Sequence, residues 1–113
     1  MATTAEYADY VCEQLRGVGT LRSKKMFGEY MIYVNEKPVV LVCDNTVFVK
    51  SVPAAAERMA DAARGYPYEG AQEHCILDID DAEGAREIVR LLESVTPLPK
   101  RKKKESAKNA QML

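Results

Sequence analysis

The sequence has little of what metal sites and disulfide frameworks are built from. Its 113 residues include three cysteines, Cys12, Cys43 and Cys75, which are widely spaced and form no Cys-x-x-Cys pair. That pattern fits neither a disulfide framework nor a zinc site, so we expect reduced, largely buried thiols. The single histidine, His74, precedes Cys75 on a predicted strand, where neighbouring side chains point to opposite faces and do not readily share a metal. We therefore expect no metal and no cofactor.

Long apolar runs are also missing. No stretch approaches membrane-spanning length, and the N-terminus lacks the basic-then-apolar arrangement of a secretory signal. We therefore expect a cytoplasmic protein without membrane contact. With 47% hydrophobic and 29% charged residues, the composition is that of one small globular domain.

The net charge of -1 conceals two oppositely charged parts. The last 14 residues carry a net charge of +5, which leaves -6 on residues 1–99. The tail has almost no large apolar side chains, and like charges repel, so we predict a folded domain over residues 1–99 and a disordered basic tail over 100–113. The run of consecutive cations consists of Lys100, Arg101, Lys102, Lys103 and Lys104.

The clearest structural signal is a hairpin between residues 39 and 50. Two runs of strand formers, Val39 to Cys43 and Thr46 to Lys50, are separated by Asp44-Asn45, residue types that tolerate the left-handed backbone of a two-residue turn. Such a turn fixes the register. The predicted pairs are Cys43 with Thr46, Val42 with Val47, Leu41 with Phe48, Val40 with Val49 and Val39 with Lys50.

The two faces of this hairpin differ. One face carries Val40, Val42, Val47 and Val49 without a polar member, so we expect helices to cover it. The other face carries Val39, Leu41, Cys43 and Phe48 with Thr46 and Lys50. It is too apolar for idle surface, so it is either partly covered as well or offered to a partner.

The remaining pattern predicts three helices and further strands. Thr3 and Glu6 have the spacing of a capping box for a first helix over about residues 4–17. Ala54 to Arg64 after Pro53 is predicted as a second helix, and a third, capped by Asp80 or Asp81, follows. Strands are predicted over residues 21–27, 30–34 and 72–79. The predicted fold is α+β with two layers, an antiparallel sheet of about five strands packed against three helices, and the predicted core includes Leu15, Val40, Val42, Val47, Val49, Ile88 and Leu92.

One segment resembles a known family. The stretch Lys24-Lys25-Met26-Phe27-Gly28-Glu29-Tyr30-Met31-Ile32-Tyr33, followed by a strand, a short turn and Val47-Phe48-Val49-Lys50, resembles the N-terminal domain of the TfoX/Sxy family. Some members of that family are tied to regulation of competence for DNA uptake. The resemblance implies a two-layer α+β fold, helix–strands–helix–strand region–helix, similar in outline to secretion-chaperone-like folds. It also implies an interaction module with a role in transcription regulation.

For Met26-Phe27-Gly28 two interpretations stand side by side. The favoured one is core packing at a tight bend, with Phe27 between sheet and helices and Gly28 in a conformation that other residues resist. The alternative is a binding edge at which Arg22, Lys24 and Lys25 flank an exposed apolar residue. Tyr66 and Tyr68 are predicted to cover the core.

Catalysis has little support in the sequence. Asp78, Asp80 and Asp81 form a carboxylate cluster, but Asp80 and Asp81 are explained by helix capping. No phosphate-binding loop or nucleophile-base motif is present in the sequence. We therefore expect a protein that is not an enzyme.

The expected function is contact with an unidentified protein partner, of which self-association as a homodimer is the simplest form. The surface would be the Leu41-Phe48 face or the edge beside Lys24-Lys25-Met26. The alternative is weak, low-specificity nucleic-acid binding through the basic tail together with Arg22, Lys24 and Lys25. The candidate interaction residues are Arg22, Lys24, Lys25, Met26, Phe27, Gly28, Leu41 and Phe48.

Overall fold

The computed structural model describes residues 3–98. The basic tail and the predicted boundary at residue 99 lie outside the described residues. The structure has the α+β architecture expected from the sequence, with one antiparallel sheet and a layer of helices. Its elements are α1 (Ala5–Gln14), β1 (Leu21–Met26), β2 (Glu29–Val34), β3 (Lys37–Cys43), β4 (Thr46–Lys50), a short 3-10 turn (Pro53–Ala55), β5 (Arg64–Gly65), β6 (His74–Ile76) and α2 (Ala82–Val95).

The six strands lie in the order β1-β2-β3-β4-β6-β5, and every neighbouring pair is antiparallel. The first four strands form a meander joined by three two-residue turns. The predicted β3–β4 register is confirmed for the four pairs from Cys43–Thr46 to Val40–Val49. Strand β1 ends the sheet and pairs with β2 alone.

The predicted second helix, Ala54 to Arg64, is wrong. The chain makes a 3-10 turn at Pro53–Ala55 and continues in hydrogen-bonded turns. Short helices in water depend on packing an apolar face, and this segment buries only Ala55 and Met59. The end of this segment belongs to the sheet instead, because Arg64 of β5 pairs with Cys75 of β6. Residues 3–98 therefore form two α-helices rather than the predicted three, and six strands where about five were expected.

The valine face of the β3–β4 hairpin faces the helices, as predicted. Val40, Val42, Val47 and Val49 are all buried, in one cluster with residues of α1 and α2. Ile88 is the exception among the predicted core residues, because it is only partly buried. The buried members of the helices are Ala8, Val11, Ala85, Val89 and Leu92, with Leu15 at the end of α1.

Both helices begin at side-chain caps. The Asp81 carboxylate accepts a hydrogen bond from the N–H of Gly84 at 3.2 Å, which confirms one of the two predicted caps of this helix. Helix α1 is capped by Thr4, whose hydroxyl accepts from the N–H of Tyr7 at 3.1 Å. The predicted capping box at Thr3 and Glu6 is therefore wrong, because the cap is Thr4 and the residue three positions later is Tyr7. Helix α1 also ends at Gln14 rather than at residue 17.

Candidate interaction site at the first hairpin

Phe27 lies at the turn between β1 and β2, with its side chain entirely in solvent. Its relative exposure is 104%, the highest of the exposed large hydrophobic residues in the described part of the chain. Phe27 and Gly28 form a two-residue turn in which both have positive φ, 52° and 83°. The interpretation of Phe27 as a core residue is therefore wrong, whereas the special conformation expected of Gly28 is confirmed.

A comparison with the other two turns shows how unusual this phenylalanine is. The first positions of the β2–β3 and β3–β4 turns are Asn35 and Asp44, with φ of 53° and 51°. Asn and Asp tolerate the left-handed region because their short polar side chains bond locally, whereas a bulky apolar residue there is strained. Backbone strain of this kind is concentrated at functional sites. The hairpin tip, residues 24–28, is therefore the strongest candidate site.

Thr3 holds this turn in place. Its backbone N–H donates to the carbonyl oxygen of Gly28 at 3.1 Å, and its hydroxyl donates to Oε1 of Glu29 at 2.6 Å. The same hydroxyl accepts from the N–H of Asn45 at 3.2 Å. Oε1 of Glu29 also accepts from the N–H of Asp44 at 3.0 Å. Thr3 is the only buried polar or charged residue among residues 3–98, and it joins two neighbouring turns.

The three cations of β1 do not form a single patch. Arg22 donates to both carboxylate oxygens of Glu36 and lies over the ring of Tyr33, 4.3 Å from its centroid. Its bonds to Glu36 raise the pKa of this guanidinium. Lys24 and Lys25 are exposed, and as neighbours on a strand they point to opposite faces of the sheet.

The outer face of the sheet, which carries Leu41 and Phe48, is partly covered. Phe48 is only 6% exposed, while Leu41 and Met31 are half-buried. Tyr68 and Ala71, from the loop between β5 and β6, help to line a cavity of about 430 Å³ beside Phe48 and His74. Phe48 thus offers almost no surface to a partner. Tyr66 and Tyr68 were expected to cover the core, but both are more than half exposed.

The carboxylates at the start of α2 have structural partners. Asp80 accepts from the hydroxyl of Tyr10 at 2.5 Å, and this hydrogen bond raises the pKa of Tyr10. Asp78, Asp80 and Asp81 border an open cleft of about 590 Å³. Within residues 3–98 no group of three metal-ligating side chains is placed to hold a metal ion. In that same region, neither helix is long and apolar enough to cross a membrane.

Comparisons with known proteins identify the family of the chain. The profile of the TfoX N-terminal domain matches residues 13–78, a segment that contains all six strands and the hairpin tip. The chain is also 36% identical, over 114 aligned positions, to a protein of Spirochaeta aurantia described as an uncharacterized 12.7 kDa protein in the trpE 5′ region. That alignment covers 98% of this chain and 99% of the relative.

The chain belongs to the TfoX N-terminal domain family. The family resemblance was carried by the Met26-Phe27-Gly28 block, and in this member of the TfoX N-terminal domain family that block is a turn with an exposed aromatic ring.

Two features of the site were missed in the sequence. The sequence pattern favours Thr3 as the helix cap, whereas the neighbouring Thr4 caps α1 and Thr3 bonds to the turns. Phe27 was placed at the end of a strand. The available signal was Gly28, since a glycine in the second of two residues between strands favours a turn with both φ positive.

Proposed function

We propose that this member of the TfoX N-terminal domain family is a non-enzymatic cytoplasmic module that regulates transcription by protein contact, and that the hairpin tip is its contact surface. The observation that carries the proposal is the full exposure of Phe27. Removing a phenylalanine side chain from water is favourable by about 1.5–3 kcal/mol, and the isolated chain does not gain this free energy at Phe27. A partner that covers the ring recovers that free energy.

The way in which Phe27 is presented supports the same proposal. Aromatic side chains dominate the energetics of protein interfaces, and binding is stronger when they need no ordering on association. The bond from Thr3 to Gly28 and the adjacent bonds to Glu29 hold the turn before any partner arrives. The backbone that carries Phe27 is therefore preorganised for contact with a partner.

The regulatory part of the proposal draws on family membership. Regulators of competence for DNA uptake are found in the TfoX/Sxy family, so we propose a transcription complex as the setting of the contact. Self-association through the Leu41-Phe48 face is the less favoured form, because Phe48 is buried and contributes almost no surface.

Site-specific crosslinking in the native cell tests the contact. Phe27 is replaced by the photoreactive p-benzoylphenylalanine, and Tyr66, an exposed aromatic residue that follows the opposite edge strand, is replaced in the same way as the matched control. We expect a discrete adduct to another protein from position 27 and none of the same mass from position 66. Equal adducts at both positions, or none at position 27, would contradict the proposal.

Regulation is tested separately by transcript measurement. A strain without the protein is complemented with the wild type, with Phe27→Asn or with Tyr66→Asn. We expect the wild type and Tyr66→Asn to restore the transcripts that change in the deletion strain, and Phe27→Asn to fail at an equal protein level. Restoration by Phe27→Asn would show that the tip has no regulatory role.

Weak nucleic-acid binding is the second candidate function, and the absence of any acidic residue in β1 favours it. Its cations are Arg22, Lys24, Lys25 and those of residues 100–104. Arg22 is already neutralised by Glu36, so the tail would supply most of the attraction. Labelled DNA is titrated at about 50 mM and about 200 mM salt, with the full chain and with residues 100–113 deleted. An affinity for DNA that falls steeply with salt and disappears when residues 100–113 are deleted supports this function. Binding that survives the deletion would place the site on β1.

A further inference from the structure

Strand β1 has one row of backbone groups directed away from the sheet. Met26 pairs with Glu29 across a two-residue turn, and four residues further out Arg22 pairs with Tyr33. The N–H of Asn35 donates to the carbonyl of Thr20 at 2.8 Å, which shows that even-numbered residues of this hairpin bond to β2. The N–H and C=O groups of Leu21, Ser23 and Lys25 therefore point outward, along the free edge.

This edge is uncovered. The four residues from Arg22 to Lys25 are all exposed. Apart from the pairing with β2, no backbone hydrogen bond inside the described range 3–98 involves Ser23 or Lys25. The edge can accept another strand with two full sets of backbone hydrogen bonds, because these groups are already extended and need no rearrangement.

The charge of β1 determines which strands it can accept. Arg22, Lys24 and Lys25 are its only charged residues. A second copy of β1 paired on this edge would place cations opposite cations on at least one face of the sheet, which destabilises strand pairs. An acidic strand would instead gain opposite-charge pairs. Lys24 and Lys25 point to opposite faces, so two adjacent carboxylates in an extended strand can meet one lysine each.

We propose that β1 adds an extended acidic segment of another protein to the sheet, with adjacent carboxylates on Lys24 and Lys25 and an apolar side chain against Phe27. This inference rests on the proposed function, because it specifies how the partner binds at the tip. The Phe27 ring lies just beyond the last residue of β1, where it can contact the end of the added strand.

Lysines on an edge strand also have a protective use, since they discourage edge-to-edge aggregation. Protection explains Lys24 and Lys25 but not the neighbouring Phe27, because an exposed aromatic ring at the end of a free edge promotes association. The combination of open backbone groups, one sign of charge and an apolar anchor fits a selective docking edge.

The probe is a capped synthetic peptide of about eight residues, in which two adjacent glutamates are flanked by threonine and valine and one end carries a leucine. Two control peptides have lysines in place of the glutamates, or N-methyl groups on alternate backbone nitrogens. Binding to the full-length protein is measured by chemical-shift changes. We expect only the acidic, unmethylated peptide to bind, more weakly at about 500 mM than at about 50 mM salt.

Ser23→Pro is the decisive protein variant. It removes the outward N–H of Ser23 without touching the β1–β2 hydrogen bonds, and proline is tolerated on edge strands in this orientation. Ser23→Ala is the matched control. We expect a loss of at least about tenfold in peptide affinity for Ser23→Pro and unchanged affinity for Ser23→Ala, with melting temperatures showing that both variants fold.

Hydrogen exchange gives a readout that does not depend on any variant. When the peptide binds, the amides of Ser23 and Lys25 should become protected, whereas the amide of Lys24 is already bonded to β2. The acidic-strand proposal would be overturned if the methylated peptide or the lysine peptide bound as tightly as the acidic peptide. It would also be overturned if Ser23→Pro bound the acidic peptide as tightly as the wild type does. Crosslinks from position 27 without peptide binding would leave the proposed function standing and reject this mode of binding, whereas absence of both would reject the two together.

Discussion

The backbone N–H of Thr3 donates to the carbonyl oxygen of Gly28 across 3.1 Å, so the residue before the cap of α1 fixes the turn that presents Phe27. The contact links residues 25 positions apart. It is reinforced by the Thr3 hydroxyl, which donates to the Glu29 carboxylate and accepts from the N–H of Asn45. The exposed site therefore depends on one buried threonine.

Thr3→Val should destabilise the protein by about 1–3 kcal/mol, because the N–H of Asn45 and the carboxylate of Glu29 lose a buried hydrogen-bonding partner. Thr20→Val is the control, since Thr20 is exposed and no side-chain hydrogen bond of its hydroxyl is found within the described residues. Urea unfolding measures both. Equal midpoints for Thr3→Val and the wild type would show that the buried hydroxyl contributes nothing.

Phe27→Asn should stabilise the isolated protein by about 1 kcal/mol, because asparagine adopts the left-handed conformation at lower cost than phenylalanine. The same variant should lose partner contact, so stability and function would move in opposite directions. Thermal melting of Phe27→Asn beside Tyr66→Asn checks the first part. A lower melting temperature for Phe27→Asn would mean that the ring makes stabilising contacts in the native state.

The predictable part of the fold follows from side-chain alternation. Asp44-Asn45 between two apolar runs determines a two-residue turn, and a fixed turn length determines every pair in the β3–β4 register. The helix predicted over Ala54 to Arg64 failed because helix propensity was used without asking what the segment could bury. Alanines favour a helix locally, but pairing of Arg64 with Cys75 takes the end of the segment into the sheet.

The candidate site was harder to predict for a different reason. Core packing is the interpretation that the sequence favours for Phe27, whereas Phe27 and Gly28 form a two-residue turn and the Phe27 ring lies in solvent. Lys24 and Lys25 were identified from sequence as flanking residues. Which backbone groups of β1 face outward, however, depends on the pairing with β2, and the sequence pattern alone left that pairing open.

Burial of Val89 and partial burial of Ile88 lead to a third prediction. Val89→Ala should cost about 2 kcal/mol and Ile88→Ala about 1 kcal/mol, although isoleucine is the larger side chain. The reason is that Val89 is fully enclosed between α2 and the sheet, whereas part of Ile88 borders the open cleft. Chemical denaturation of the two variants measures the difference. A larger loss for Ile88→Ala would place Ile88 in the core, as the sequence pattern predicted.

The last prediction concerns alkaline pH and the buried thiol of Cys43. Burial, followed by the nearby carboxylates of Glu29 and Asp44, raises the pKa of Cys43 to about 11 from an ordinary value of 9.0. The unfolded chain therefore ionises this thiol at lower pH than the native protein does. The contribution of the neutral thiol to the free energy of unfolding is complete below about pH 9 and is lost as pH rises through about 11. When pH is raised from about 8.5 to about 10.5, the melting temperature of Cys43→Ala should fall by less than that of the wild type. Val39→Ala is the control, because it changes a buried side chain that does not titrate, and its melting temperature should fall by as much as that of the wild type. If Cys43→Ala and Val39→Ala show the same pH slope, the thiol is not the group that destabilises the fold in alkali.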